Sequence, residues 1–317
     1  MAGDPPTRNT RNSGIKARST LADRSRVPSI LLVCVSVCWA SSYVLTRIAA
    51  ADVPPATMAI GRLFIAYIVL RIWLRLKAAG QPSTTLTHWA SYLQAALFGH
   101  ALPLVLIAAA SMKVPAGEMA VLVATTPFFA VALSHLFPPT LPARSTILGL
   151  LTGLLGLLAF FGVPEAEAPR ADWLARLALL CAAFSYAVSG RAVAKLPAAD
   201  SVATGAAVTL CAVSMLVPVG LVLERPWTIL PTRGTIAAVV LLGIASTAVA
   251  YVAYYRLISL GGPAFASLHH YLVPVLSALF AASCLGEFPQ ARHILSAVAI
   301  ALGVYLLRGL SRPSQQP

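Results

Sequence analysis

Ten continuous apolar runs follow one another along this chain, at roughly 29–50, 55–74, 89–110, 115–137, 145–163, 173–191, 201–223, 235–257, 263–285 and 291–308. Each is close to the ~20 residues that carry a helix across a bilayer. None alternates with the period of two that a membrane barrel requires. Punctuation falls between the runs, at Pro54-Pro55, Gly80-Gln81-Pro82, Pro138-Pro139, Pro164 to Pro169, Pro197, Pro226, Pro231 and Gly261-Gly262-Pro263. Such clusters mark turns, and connections this short predict antiparallel neighbours. The pattern therefore predicts an all-α integral membrane protein of ten transmembrane helices. Residues 1–27, polar and rich in Arg, Ser, Thr and Pro, read as a disordered basic cytoplasmic tail, and 310–317 as a second short cytoplasmic tail.

Composition agrees with a lipid solvent. Charged residues make up 10% of the chain and hydrophobic ones 58%, against roughly 25% charged residues in soluble domains. The net charge of +13 raises the question of nucleic acid, but the placement of the charges answers it. With the N-terminus inside, 15 Lys and Arg fall in inner segments and 7 in outer ones, with Arg62 left within a run. The positive-inside rule accounts for that distribution, with both termini cytoplasmic and no nucleic-acid partner. No cleavable signal peptide is visible before Val27, so the first helix serves as its own insertion signal. The five cysteines lie inside apolar runs without a CxxC pair and read as small buried residues.

A single offset relates the two halves. Pro127 and Pro274, Gly156 and Gly303, Trp39 and Tyr186, and Ser42 and Ser189 all stand 147 positions apart. A first repeat over 28–163 and a second over 172–309, each of five helices, must insert in opposite senses because five is odd. Inverted repeats of this kind place a substrate site near the membrane midplane, at the interface of the halves.

On these residues the chain resembles the drug/metabolite transporter superfamily, EamA type. The resemblance is carried by Trp39-Ala40-Ser41-Ser42, by Arg62-Leu63-Phe64, and by Leu272-Val273-Pro274-Val275 running to Leu285-Gly286-Glu287, over about 29–309. It implies a secondary carrier of small organic metabolites such as amino acids, an exporter in the bacterial inner membrane, with the last helix of each repeat linked to homodimer contacts. The first repeat departs from the pattern: Pro138-Pro139-Thr140 stands where the second has its Gly-Glu stop.

Ionisable groups inside a membrane are expensive and need a reason. His100 reads either as a pathway residue that binds substrate or a proton, or as a neutral ring bonded to a carbonyl freed by Pro103. His269 and His270 point about 100° apart on a helix, which puts His270, with Tyr271, on the cavity side. Ser267 and Pro274 share that face. Glu118 reads as a helix-start acid favoured by the dipole, or as an outer-vestibule acid coupled to transport. Arg62 either attracts a carboxylate or serves structure, and the second reading is favoured. Trp39, Ser42 and Tyr43 share one face of the first helix, and Tyr251 is well placed for the same wall. Tyr254 and Tyr255 read as an interfacial belt. Pro127 and Pro274 are the candidate hinges, since a proline removes a ladder hydrogen bond. Gly149, Gly153 and Gly156 form a seam for close helix packing.

No phosphate-binding loop, HExxH or GxSxG motif occurs, so no cofactor or metal is expected and the chain is read as a non-enzyme. The reading is a carrier whose partners are a small-molecule solute and the lipid bilayer. The alternative, an intramembrane enzyme using His100 or His270 as a base on a lipid-like substrate, lacks an accompanying nucleophile or metal set.

Overall fold

The computed structural model describes residues 10–77, 88–136, 144–161, 170–193, 195–196, 201–266 and 269–308. Among them regular structure is helical. The order is α1 (Thr10–Ala49), α2 (Pro55–Leu76), α3 (Trp89–Ala96), a π turn (Leu97–Ala101), α4 (Leu102–Ala110), α5 (Ala116–Val123), α6 (Thr126–Leu136) and α7 (Arg144–Phe161). There follow α8 (Arg170–Val193), α9 (Ser201–Leu223), α10 (Arg233–Gly243), a second π turn (Ile244–Val249), α11 (Ala250–Ala266), α12 (His269–Leu285) and α13 (Ala291–Arg308). Seven spans among the described residues are long and apolar enough to cross a membrane, and Ile147–Gly156, Leu272–Leu285 and His293–Gly303 form shorter apolar helices.

The outer surface explains why the chain needs lipid. On α2, Ala59, Leu63, Ala66 and Leu70 are buried, while Phe64, Ile68 and Ile72 stand exposed on the other face. A water-soluble helix carries polar residues on that face. Leu151, Leu154 and Leu155 of α7 and Leu295, Val298 and Leu302 of α13 are likewise exposed. The chain is an integral membrane protein.

Four boundaries differ from the sequence expectation. Residues 10–27, expected to be a disordered tail, are helical backbone continuous with the first span. The expected run 115–137 is split by a turn at Ala124-Thr125, directly ahead of Pro127. Pro127 cannot donate to the Val123 carbonyl, and the Thr126 hydroxyl donates to it instead at 2.7 Å. The expected loop at Gly261-Gly262-Pro263 does not interrupt the helix, which runs on to Ala266. In a bundle, neighbouring helices compensate such helix breakers. Finally, the expected runs 89–110 and 235–257 each contain a π turn, and these begin at Leu97 and Ile244, again 147 residues apart. The same offset relates both ends of α7 and α13.

α7 packs against α13, which places the glycine seam inside one chain. A Cβ on Gly303 would lie 2.8 Å from the Gly149 carbonyl oxygen and from the Gly153 nitrogen, both of them backbone. The Ser296 hydroxyl donates to the Gly156 carbonyl at 2.7 Å across the same contact. Gly303→Ala should therefore lower stability by about 1–3 kcal/mol, the usual penalty for overpacking. Thermal unfolding of the purified protein in detergent checks this, with Gly190→Ala as the control that should leave stability unharmed, because nothing lies within 4 Å of a Cβ there.

Candidate functional site

A cavity of about 810 Å³ occupies the middle of the bundle. It is lined from α1, α2, both π turns, α4, α5, α6, α8, α9, α11 and α12, whereas no described side chain of α7 or α13 lines it. Its lining runs from the buried Thr46, Ile107 and Ala120 to Leu196, Ser201 and the exposed Arg256, and this exposed end is termed the mouth.

Most of the sequence-predicted site residues meet here. Trp39, Ser42, Tyr43, His100, Tyr251 and His270 all line the cavity. The side chain of Tyr271 and residue Ser267 lie outside the described residues. The wall is a connected set of rings. His100 stacks on Tyr251 at 4.4 Å between centroids, and Tyr251 meets Trp39 edge-on at 6.0 Å. Trp39 also packs on Tyr254 at 5.0 Å and on His269 at 4.7 Å, and His269 lies 3.9 Å from His270. Offset and edge-on pairs of this kind hold rings rigidly.

The π turns explain how polar groups reach this wall. Pro103 has no N–H to offer the Gly99 carbonyl, and the Tyr251 hydroxyl donates to it at 3.2 Å. A freed carbonyl thus orients a cavity tyrosine, while the alternative reading of His100 had a histidine taking it. In the second π turn the Thr247 hydroxyl donates to the Leu242 carbonyl at 2.8 Å. Its oxygen is thereby turned to accept from Arg62 Nε at 2.9 Å. Arg62 Nη2 reaches the Ser246 carbonyl at 3.4 Å. Single π turns inside helices recur at functional sites for this reason: they shift side chains and liberate backbone acceptors.

Several placements depart from the sequence reading. Both His269 and His270 line the cavity, where only His270 was expected. His269 is held by Nδ1 2.9 Å from the Ala266 carbonyl. Tyr254 and Tyr255 belong to the wall instead of an interfacial belt. Arg62, for which the structural role was favoured, lines the cavity and also braces α2 against the second π turn through Thr247 and Ser246. Tyr186 and Ser246 also line it. Tyr186 had a signal in the sequence, its 147-residue offset from Trp39. Ser42 faces the cavity with its hydroxyl donated to its own helix, to the Trp39 carbonyl at 2.7 Å.

The end opposite the mouth is bound shut by polar contacts between residues of the two halves. Gly286 sits at φ +68, a left-handed conformation that favours glycine and ends α12. The turn delivers Glu287, whose carboxylate accepts from the Ala116 amide at 2.8 Å and forms an ion pair with Arg47. Arg47 also donates to the Ser111 carbonyl. The Glu224 carboxylate accepts from the Ala56 and Thr57 amides at 2.9 and 2.6 Å, at the start of α2. Asp52 accepts from the Thr232 amide at 3.0 Å and from the Thr235 hydroxyl at 2.5 Å. Those hydrogen bonds, Thr235 first, hold the Asp52 carboxyl below its usual range. The contact is therefore formed at neutral pH and is lost as pH falls through that lowered value.

Glu118 belongs to this closed end and does not line the cavity. It is 5% exposed and accepts from Arg176 Nε at 2.6 Å. Glu118 sits in the first turn of α5, as expected, and the carboxylate that accepts from an amide at that helix start is Glu287. Glu118→Gln should cost about 1.5–3 kcal/mol of stability, as loss of a largely buried charge-assisted hydrogen bond does, and leave the pH profile of transport unmoved. A profile flattened by the substitution would return Glu118 to the coupling role.

Two copies of one family model, described as the EamA-like transporter family, match residues 27–162 and 170–309. The "Uncharacterized inner membrane transporter YedA" of Escherichia coli strain K12 is 28% identical over 260 residues, covering 81% of this chain and 82% of that protein. The "Uncharacterized transporter YoaV" of Bacillus subtilis strain 168 is 24% identical over 277 residues, covering 87% and 94%. A solved protein crystal structure superposes with a TM-score of 0.63 at 19% identity, over 91% of this chain and 99% of that one.

Proposed function

The chain belongs to the EamA-like transporter family, and on that premise we propose that it is a secondary carrier of small organic metabolites in the bacterial inner membrane. The fold reading behind this is ten transmembrane helices in two inverted five-helix repeats. The offset of 147 residues that relates the π turns, and both ends of α7 and α13, supports it.

The observation that carries the proposal is the asymmetry of the cavity. Both halves line it, its wall is polar and aromatic, and it is shut at one end by contacts that cross between the halves. A carrier needs such a site, reached from one side at a time. Breaking the contacts at the shut end and forming others at the mouth would expose the same site to the opposite side. Pro127 and Pro274 are the proposed hinges. The break at Ala124-Thr125, with its carbonyl served by a threonine hydroxyl, gives the first of them a place to bend. With the N-terminus inside, the mouth faces the cytoplasm. Export is the proposed direction, with amino acids or related metabolites as the starting panel.

Counterflow in proteoliposomes tests the proposal. Purified protein loaded with a panel of amino acids, organic acids, sugars and nucleosides should show saturable exchange of at least one class. Absence of exchange across the panel, from protein that remains folded, would contradict it. Turnover of a lipid by the same preparation would favour the enzyme instead.

A further inference from the structure

Arg62 is buried in the wall of the cavity at 7% exposure, and no carboxylate partners it among the described residues. Its two protein contacts are a hydroxyl and a carbonyl, on Thr247 and Ser246. Neither carries a charge, and its other N–H groups have no protein partner among the described residues. A cation taken out of water without a counter-ion is costly. The fold therefore holds a charge whose complement must come from elsewhere.

The lining of the cavity gives the sign of that complement. Among the described residues it includes Arg62, Arg256, His100, His269 and His270, and neither Asp nor Glu. Two more polar atoms beside Arg62 are unused. Ser246 Oγ, fully buried, and His100 Nδ1, on a ring 3% exposed that also lies near the Ala95 carbonyl, have no hydrogen-bond partner among the described residues. Arg62 and these two residues come from α2 and the two π turns, so they converge from three places in the fold. The rest of the wall, from Trp39 through Tyr251 and Tyr254, offers ring faces.

We infer that the solute is an organic anion, in which a carboxylate engages Arg62 and an aromatic or apolar body lies against the Trp39–Tyr251 wall, and that a free ammonium group is not required. Guanidinium recognises carboxylate through paired N–H bonds. Ser246 Oγ can donate to the same carboxylate. An ammonium group would find no carboxylate in the described lining, only ring faces and carbonyls. This inference rests on the carrier reading and sharpens its substrate class.

Three probes with one body separate the groups: 3-phenylpropionate carries the carboxylate alone, L-phenylalanine carries both charges, and phenethylamine carries the ammonium alone. Binding to the wild-type protein in detergent should be at least as tight for 3-phenylpropionate as for phenylalanine, and at least about tenfold weaker for phenethylamine, the factor that a charge-assisted hydrogen bond supplies. Arg62→Gln should weaken the two acids by about tenfold or more, and Arg62→Lys should recover part of the loss. Phenethylamine binding as tightly as the acids would overturn the inference. So would acids that bind Arg62→Gln as they bind wild type, or failure of all three probes to bind. The wild-type comparison stands even if Arg62→Gln does not fold. Exchange of some other solute in the counterflow panel, with all three probes inactive, would sink the anion reading and leave the carrier reading in place.

Discussion

Glu287→Ala should open the shut end of the cavity by about thirtyfold, while Glu287→Gln should do so by only about fivefold. Glu287 has two jobs at that end. Its carboxylate accepts from the Ala116 amide, satisfying one of the donors that α5 leaves unpaired at its start, and it pairs with Arg47. Loss of a helix-start acceptor costs about 1 kcal/mol. Loss of an ion pair as exposed as this one costs at most about 1 kcal/mol. The sum of about 2 kcal/mol is about thirtyfold in an equilibrium. Glutamine keeps an acceptor for Ala116 and loses only the pair. Exchanging the charges, Arg47→Glu with Glu287→Arg, should not rescue the contact. An arginine at 287 cannot accept from Ala116, and a glutamate at 47 cannot donate to the Ser111 carbonyl. The measurement is the rate at which an impermeant thiol reagent, added from the shut side, reaches a cysteine placed at Ala120, which lines that end. Equal rates for the Ala and Gln variants would remove the capping half of the account.

Gly99→Ala should reduce exchange by about tenfold or more, and a second change, Ser189→Gly, should restore much of it. A Cβ on Gly99 would run into the Ser189 hydroxyl, with the Ser189 Cβ at 3.2 Å. The neighbouring Ser185 hydroxyl donates to the Phe98 carbonyl at 2.8 Å, so α8 and the first π turn are already stitched together. Overpacking such a contact costs about 1–3 kcal/mol. The π turn would have to move, taking with it His100 and the carbonyl that holds Tyr251. Rescue by removal of the obstructing side chain distinguishes this from general damage, because Ser189→Gly alone only deletes a hydroxymethyl group. A double variant no better than Gly99→Ala would show that the contact is not what limits it.

The helices and their lipid solvent were legible in the sequence because both depend on local composition. Phe64, Ile68 and Ile72 can face outward on α2 only if the surroundings are apolar. Much of the cavity was legible too, since a tyrosine or histidine inside an apolar run must find a polar surface. Tyr186 is marked in the sequence by its 147-residue offset from Trp39. What could not be read depends on pairs distant in sequence. Arg62 gains a second reading only when the described cavity lining is seen to hold no acid beside it. Glu287 and Arg47 stand 240 residues apart, and the turn at Gly286 joins them. Glu118 looks like an acid in search of a role until Arg176 is found against it. The π turns had no visible signal, because an extra residue in a helical turn is fixed by what packs around it.

A transported solute should occupy the cavity between the halves. Gly190 lines that cavity, and a side chain added there meets nothing within 4 Å. A cysteine at Gly190, in protein whose five native cysteines are replaced, can therefore report on the cavity without distorting it. In membrane vesicles of known orientation, the account predicts labelling by an impermeant methanethiosulfonate from the mouth side, slowed about tenfold by saturating solute from the counterflow panel. Labelling at an unchanged rate with solute present, while exchange of that solute proceeds, would place the site elsewhere and contradict the account.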